Sequence, residues 1–227
     1  SGFPVQAIRY VLEEGGITAY DLDHLGISRN PSANLLKKVM FTLSKRPSLD
    51  MIRGRLSNAG EVKDPKTQLV QSLGLEAAAL KAQVHNVEHH RAHMASAFFV
   101  SPFEDAAILS VDGMGDFVST MWGTGRNSQI NVADAINFPH SLGFFYTAIS
   151  QWLGFPKYGD EGKVMGLAPY GEPRYAQAIR EHLIDIKDDG SFRINLEYFD
   201  YCTGLRMTNE RFDALFGGPP RSPESRL

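Results

Sequence analysis

The sequence predicts an α/β fold, because short apolar strands alternate along it with segments of helical period. A second sign is a strand of buried type that runs into a glycine turn and returns. Ala106-Ala107-Ile108-Leu109-Ser110-Val111 is continuous and apolar, stops at Asp112-Gly113-Met114-Gly115-Asp116, and Phe117 to Gly123 then alternates toward a turn at Gly125. Gln129 to Asn137 adds a third strand.

Taken in order, Val5 to Glu14 sets Ile8, Val11 and Leu12 on one face before Gly15-Gly16, an amphipathic helix with a glycine stop. A strand is expected near Leu22 to Ile27. Asn34 to Lys66 carries Lys37, Lys38, Lys45, Arg46, Arg53, Arg55, Lys63 and Lys66 against Asp50, Glu61 and Asp64; a cluster this loose reads as a solvated helical insertion rather than an anion site. Thr67 to Gln83 has helical spacing through Leu69, Val70, Leu73, Ala79 and Leu80, and a strand through Val84 and Val87 feeds a helix opening at His89. Leu142 to Leu153 and Arg174 to Leu183 read as helices, Phe192 to Leu196 as a strand, and Gly217 to Pro223 as a linker.

Composition bounds the function. With 227 residues, 43% hydrophobic and 22% charged, the chain can bury a core, and 23 basic against 26 acidic residues leave no basic field of the kind that holds nucleic acid. The lone Cys202 forms no internal disulfide and no cysteine cluster holds zinc or iron-sulfur, which predicts a reducing, cytoplasmic setting. No apolar run approaches the roughly 18 to 20 residues of a membrane span. The chain begins at Ser1 without an initiating Met, so a piece of a longer protein is expected.

Three clusters can carry chemistry. His89 and His93 lie four apart, so on a helix their imidazoles share one face at a spacing that can hold one metal ion, while His90 points elsewhere. A zinc protease would need Glu directly after the first His, where His90 stands. An isolated pair more often reads as a surface or core-satisfied pair, but three histidines in five residues, of 7 in the chain, move the reading toward ligands. Asp112, at the end of an apolar strand, is the candidate third ligand. Gly113 and Gly115 permit positive φ and close approach, so the turn reads either as a phosphate hairpin or as a plain tight turn. Lys157 to Gly171 packs four glycines, two acids and two lysines without a helical or strand period, and reads as a ligand loop. It is no Walker A loop, since Val164 follows Gly162-Lys163, and Val118 breaks a dinucleotide fingerprint after Gly113.

The strings His89-His90-Arg91-Ala92-His93-Met94-Ala95-Ser96-Ala97-Phe98, Ser110-Val111-Asp112-Gly113, Phe138-Pro139-His140-Ser141-Leu142-Gly143 and Gly159 through Gly171, in that order, resemble the O-carbamoyltransferases of nodulation-factor and antibiotic biosynthesis. The resemblance covers roughly Phe3 to Leu183. It implies a partial actin-like, RNase H-like ATPase fold, a mixed sheet with flanking helices, in the superfamily of acetate kinase, sugar kinases, heat-shock chaperone and actin. Residues 1–104 would then be the remainder of a first subdomain with its first strands missing and a basic insertion at about 34–66, residues 105–216 the start of a second, and 217–227 a linker-like end.

The activity implied is transfer of a carbamoyl group, from carbamoyl phosphate and ATP through carbamoyl adenylate, to a hydroxyl of a small molecule such as a sugar or secondary metabolite. The adenylate would form on a domain beyond Leu227, which would also bring a further acidic metal ligand, so the chain alone is expected to be inactive. By resemblance His89, His93 and Asp112 are metal ligands, with iron the favoured divalent ion. Gly113, Gly115 and Asp116 fall in the phosphate hairpin, Asp160, Glu161 and Lys163 in a signature loop contacting anion or substrate, and His140 in a motif of open role. At Gly162 the family usually has a bulky residue. No nucleic acid or membrane partner is expected, and a homodimer stays open. Two other readings remain: a phosphotransferase of the same superfamily, which has no need of imidazole ligands, and a non-catalytic nucleotide- or metal-binding fragment.

Overall fold

A computed structural model describes residues 3–45, 65–204 and 206–225. Helix α1 (Val5–Glu14) stops where Gly16 takes φ 61°. Strand β1 (His24–Ile27) follows, then α2 (Leu35–Lys45) and α3 (Pro65–Leu73). Of the basic stretch, Arg46 through Asp64 lies outside the described residues. Strand β2 (Gln83–Asn86) pairs with β1 in parallel, His24 opposite Gln83. Buried Leu69, Leu80 and Ala82 gather Phe3, Ile8 and Leu22 over one side of this unit.

Helix α4 (His89–Phe98) leads into β3 (Asp105–Gly115), β4 (Val118–Arg126) and β5 (Gln129–Asn137), an antiparallel meander in that order. Met94 and Phe98 press α4 onto Ile108, Val118 and Met121. Burying each such side chain contributes about 1.5–3 kcal/mol. Gly125 makes room there, since a β-carbon on it would fall 2.7 Å from the Phe98 ring. Helix α5 (Leu142–Trp152) packs against β3 and shares a core of Ile136, Phe138, Ala148, Leu183, Phe199 and Phe212 with the C-terminal elements. These are the antiparallel pair β6 (Ile184–Ile186) and β7 (Phe192–Ile194) and the last helix, α7 (Glu210–Phe216); α6 (Glu161–Leu167), between α5 and β6, adds no residue to this core.

The α/β class holds, with four corrections. Parallel and antiparallel pairing occupy three separate sheets among the described residues, not one mixed sheet, because β1 and β2 pair only with each other. The helix expected over Thr67 to Gln83 ends at Leu73, where Gly74 takes φ 67°, and Gln83 already belongs to β2. Arg174 to Leu183 is a short turn, Ala176–Ala178, running into a π-helical turn, Ile179–Leu183. The stretch from Lys157 to Gly171 is not loop throughout, since α6 lies within it. No helix among the described residues is long and apolar enough to cross a membrane.

Candidate metal centre

The N-terminus of α4 is closed by two carboxylates. Glu88 accepts the backbone N–H groups of His90 (3.2 Å) and Arg91 (2.8 Å), and Asp116 Oδ2 accepts that of His89 (3.0 Å). The donors a helix start leaves unpaired are thereby satisfied from within the chain.

One turn of helix then sets His89 Nε2 and His93 Nε2 3.0 Å apart. The register of β3 against β4 shifts between Val111 and Gly115, and such a bulge re-aims side chains. Asp112 Oδ2 comes to 2.8 Å from His89 Nε2 and 3.6 Å from His93 Nε2. Three lone-pair atoms aimed at one point repel unless a cation or proton lies among them. Donors held at about 2.1 Å around one ion stand roughly 3.0 to 3.4 Å apart; the spacings here, 2.8, 3.0 and 3.6 Å, bracket that range, so small side-chain shifts would bring two imidazoles and a carboxylate onto one divalent metal. His89 Nδ1 lies 3.3 Å from the Ser28 carbonyl; with a metal on Nε2, the imidazole would carry its proton on Nδ1 and donate it to that carbonyl, whereas in the metal-free protein Nε2–H faces Asp112. Burial pushes the Asp112 carboxyl up, but the hydrogen bond to His89, the Gly113 N–H and the charges of His89 and His93 outweigh it and hold the group below the usual range.

The remaining candidates sit as follows. Gly113 donates its N–H to Asp112 Oδ1 (2.6 Å). Neither Gly113 nor Gly115 takes positive φ; the left-handed residues of the turn are Asp116 (49°) and Phe117 (76°). Close approach is what the glycines supply: a β-carbon on Gly115 would fall 1.9 Å from the His89 ring, and one on Gly113 3.2 Å from Phe144. Asp116 bonds backbone N–H groups. His140 Nδ1 accepts the Ile194 N–H (3.2 Å), which joins the start of α5 to β7.

Asp160, nearly buried, accepts from the Lys157 N–H (2.9 Å) and pairs with Lys163 (2.6 Å); Lys163 first, then the Lys157 N–H, hold its carboxyl below the usual range. Glu161 accepts from the Thr147 hydroxyl (2.6 Å). These three residues stand at the start of α6, and Glu161 ties it to α5, whose own N-terminus rests on Asp112 and Gly113 through Ser141. A β-carbon at Gly162 would meet open space.

Sequence reasoning missed three supports. His90 is fully buried, its Nε2–H donating to the Val118 carbonyl (2.9 Å) and its Nδ1 paired with the Ser110 hydroxyl (2.8 Å); burial above all holds it uncharged by lowering its pKa. Ser141 caps α5 by accepting the Phe144 N–H (3.0 Å) and donates to the Gly113 carbonyl (2.7 Å). A β-carbon on Gly143 would fall 2.6 Å from Gly113 N. A serine just before an apolar helical run was a readable cap signal; for the other two no signal precedes the packing.

The sequence matches, over residues 1–225, the family model described as carbamoyltransferase N-terminus. An uncharacterized Synechocystis protein, sll1178, is 40% identical over 233 residues, taking in 100% of this chain and 38% of that protein. Nodulation protein NolNO of Sinorhizobium fredii is 30% identical over 195 residues, 86% of this chain and 27% of the relative. Nodulation protein NolO of Bradyrhizobium diazoefficiens is 38% identical over 113 residues, 49% of this chain and 20% of its own length. The chain therefore spans less than two fifths of the length of each of these relatives.

Proposed function

The chain belongs to the carbamoyltransferase N-terminal family, and on that premise we propose that His89, His93 and Asp112 hold the metal ion of a site that transfers a carbamoyl group to a hydroxyl. The observation that carries this reading is the convergence of three donor atoms, all within 4.8 Å of one another. Two imidazoles and one carboxylate suit ferrous iron, the ion proposed. Once bound, the ion would polarise the carbamoyl oxygen as its carbon becomes tetrahedral.

This chain's own groups prepare that site. The Ser28 carbonyl would hold the proton of a metal-bound His89 on Nδ1, and the Gly113 N–H supports the ionised form of Asp112. The proposed donor is carbamoyl phosphate, activated with ATP as carbamoyl adenylate, and its phosphate would meet the Gly113 to Gly115 turn and Lys163, the cationic member of the α6 cluster. The proposed acceptor is a small hydroxylated molecule of the sugar or secondary-metabolite class. An actin-like arrangement is proposed in which the β3 to β5 meander and α5 open a second subdomain; the parallel β1–β2 pair beside an antiparallel meander supports it. A cytoplasmic setting suits the buried, single Cys202.

The test is calorimetric titration of ferrous, manganous and zinc ions into the full-length protein and its His89→Ala/His93→Ala variant, with carbamoyl transfer followed alongside. Binding and transfer in the parent, both lost in a folded variant, are expected. Equal binding by the two proteins would remove the assignment.

A further inference from the structure

The start of α4 and the segment from Asn30 to Asn34 meet at Asp116. Its Oδ2 accepts the N–H of His89 (3.0 Å) and that of Asn30 (2.7 Å), and its own carbonyl accepts Asn34 Nδ2 (3.0 Å). Asn30 begins a turn that it stiffens itself, accepting the Ser32 N–H (3.1 Å) and hydroxyl (2.6 Å) on Oδ1. Two residues before Asn30 stands Ser28, whose carbonyl faces His89 Nδ1 at 3.3 Å. One carboxylate oxygen thus grips the backbone of His89 and the backbone of the segment that orients the His89 ring.

The turn presenting this group is an unusual one. Asp116 and Phe117 both lie in the left-handed region, at φ 49° and 76°, without a glycine between them. Aspartate tolerates that region better than most residues, because its short side chain bonds locally. A negative charge whose acceptor oxygen already has two backbone donors is ill suited to a phosphate, so the role expected for Asp116 in an anion hairpin does not match its surroundings.

The geometry points to Asp116 as a positioning residue, which sets His89 against Asp112 and so tunes the metal affinity of the site. The inference rests on the metal reading of His89, His93 and Asp112. Partners outside the ligand shell that orient a metal-binding imidazole typically govern affinity about 10- to 100-fold. Here the orienting device is indirect. Asp116 holds the helix start and the Ser28 segment in one frame, and the ring follows.

Cobalt(II) reports on the site directly, through its visible absorption and its dissociation constant in the full-length protein. Asp116→Ala is expected to weaken cobalt binding about 10- to 100-fold and to alter the band, whereas Asp116→Asn, which keeps an acceptor oxygen and tolerates positive φ, restores most of the affinity. Unchanged affinity in Asp116→Ala overturns the inference. A loss in Asp116→Asn as deep as in Asp116→Ala also overturns it, because the carboxylate would then be acting as a charge or as a ligand. Should Asp116→Ala fail to fold, Asn34→Gly decides: it keeps the left-handed backbone of Asn34 (φ 55°) and removes only the bond to the Asp116 carbonyl. Weaker cobalt binding there supports the inference and unchanged binding overturns it. If the parent binds no cobalt, the metal reading itself fails, which is a different result from a parent that binds and variants that match it.

Discussion

The His89 imidazole lies directly against the α-carbon of Gly115, so that a β-carbon on Gly115 would sit 1.9 Å from His89 Cδ2 and 2.6 Å from His89 Cβ. Contact with Cβ as well as the ring means that turning the imidazole alone cannot clear the space. Gly115→Ala is therefore expected to displace His89 as a whole, cost about 1–3 kcal/mol of stability and weaken metal binding about 10-fold or more. Metal titration beside urea denaturation checks both. A variant with parental affinity would show that His89 does not need this seat.

Asp112 is held from the other side by α5. A β-carbon on Gly143 would meet Gly113 N at 2.6 Å, Gly113 Cα at 2.7 Å and the Asp112 carbonyl carbon at 2.8 Å, all main-chain atoms with no rotamer to yield. Ser141, fully buried, both caps α5 and donates to the Gly113 carbonyl. Ser141→Ala should cost about 1–2 kcal/mol by losing a cap and a buried hydrogen bond. Gly143→Ala should in addition shift the β3 bulge and weaken metal binding, and the ratio of the two effects is read by measuring unfolding and metal affinity on each variant.

Much of this site was legible before any coordinates. The spacing of His89 and His93 needs only helical period, and Asp112 stands where an apolar run ends, so both follow from local patterns. The meander from β3 to β5 and the helix α5 follow in the same way. What stayed hidden depends on contacts distant in sequence. Helix α6 lacks a readable period because Gly162 and Gly166 interrupt it, and it is held instead by Asp160 on Lys157 and Lys163 and by Glu161 on Thr147. The glycines of Gly113-Met114-Gly115 suggest positive φ, yet the chain turns at Asp116 and Phe117, and Gly115 is needed because a ring from α4 occupies the space of its side chain. Local pattern turns His90 away from His89 and His93, but what it meets there, the Val118 carbonyl and the Ser110 hydroxyl in a buried site, only the packing decides.

That difference predicts a dissociation between neighbours. His90 has no exposure and bridges the Val118 carbonyl to the Ser110 hydroxyl, so His90→Ala leaves two buried groups unpaired and a cavity, at a cost of about 3–5 kcal/mol. His93 is exposed at the same helix, and His93→Ala should change stability by less than about 0.5 kcal/mol while abolishing tight metal binding. Denaturant midpoints and metal titration, made on both variants, should move in opposite patterns. Similar stability losses in the two would mean that His93 is also a packing residue.

The attachment of α6 to α5 carries a pH signature. The Thr147 hydroxyl is the main cause holding the Glu161 carboxyl below its ordinary value of 4.5, helped by a local backbone N–H and opposed by burial. A carboxyl whose folded pKa is depressed binds its proton less readily than in the unfolded chain. Its contribution is therefore complete above the unfolded value and is lost as pH falls through the folded one. Thr147→Val removes the hydroxyl at nearly constant volume, and the bond lies at a partly solvated surface, so the expected loss near neutral pH is on the order of 0.5–1 kcal/mol. The gap between parent and variant in urea unfolding should be full at about pH 7 and shrink as pH falls below the ordinary carboxylate value, closing once the folded Glu161 carboxyl also takes its proton. A gap that stays constant across that range would mean that Thr147 stabilises α5 by packing and not by holding the Glu161 charge.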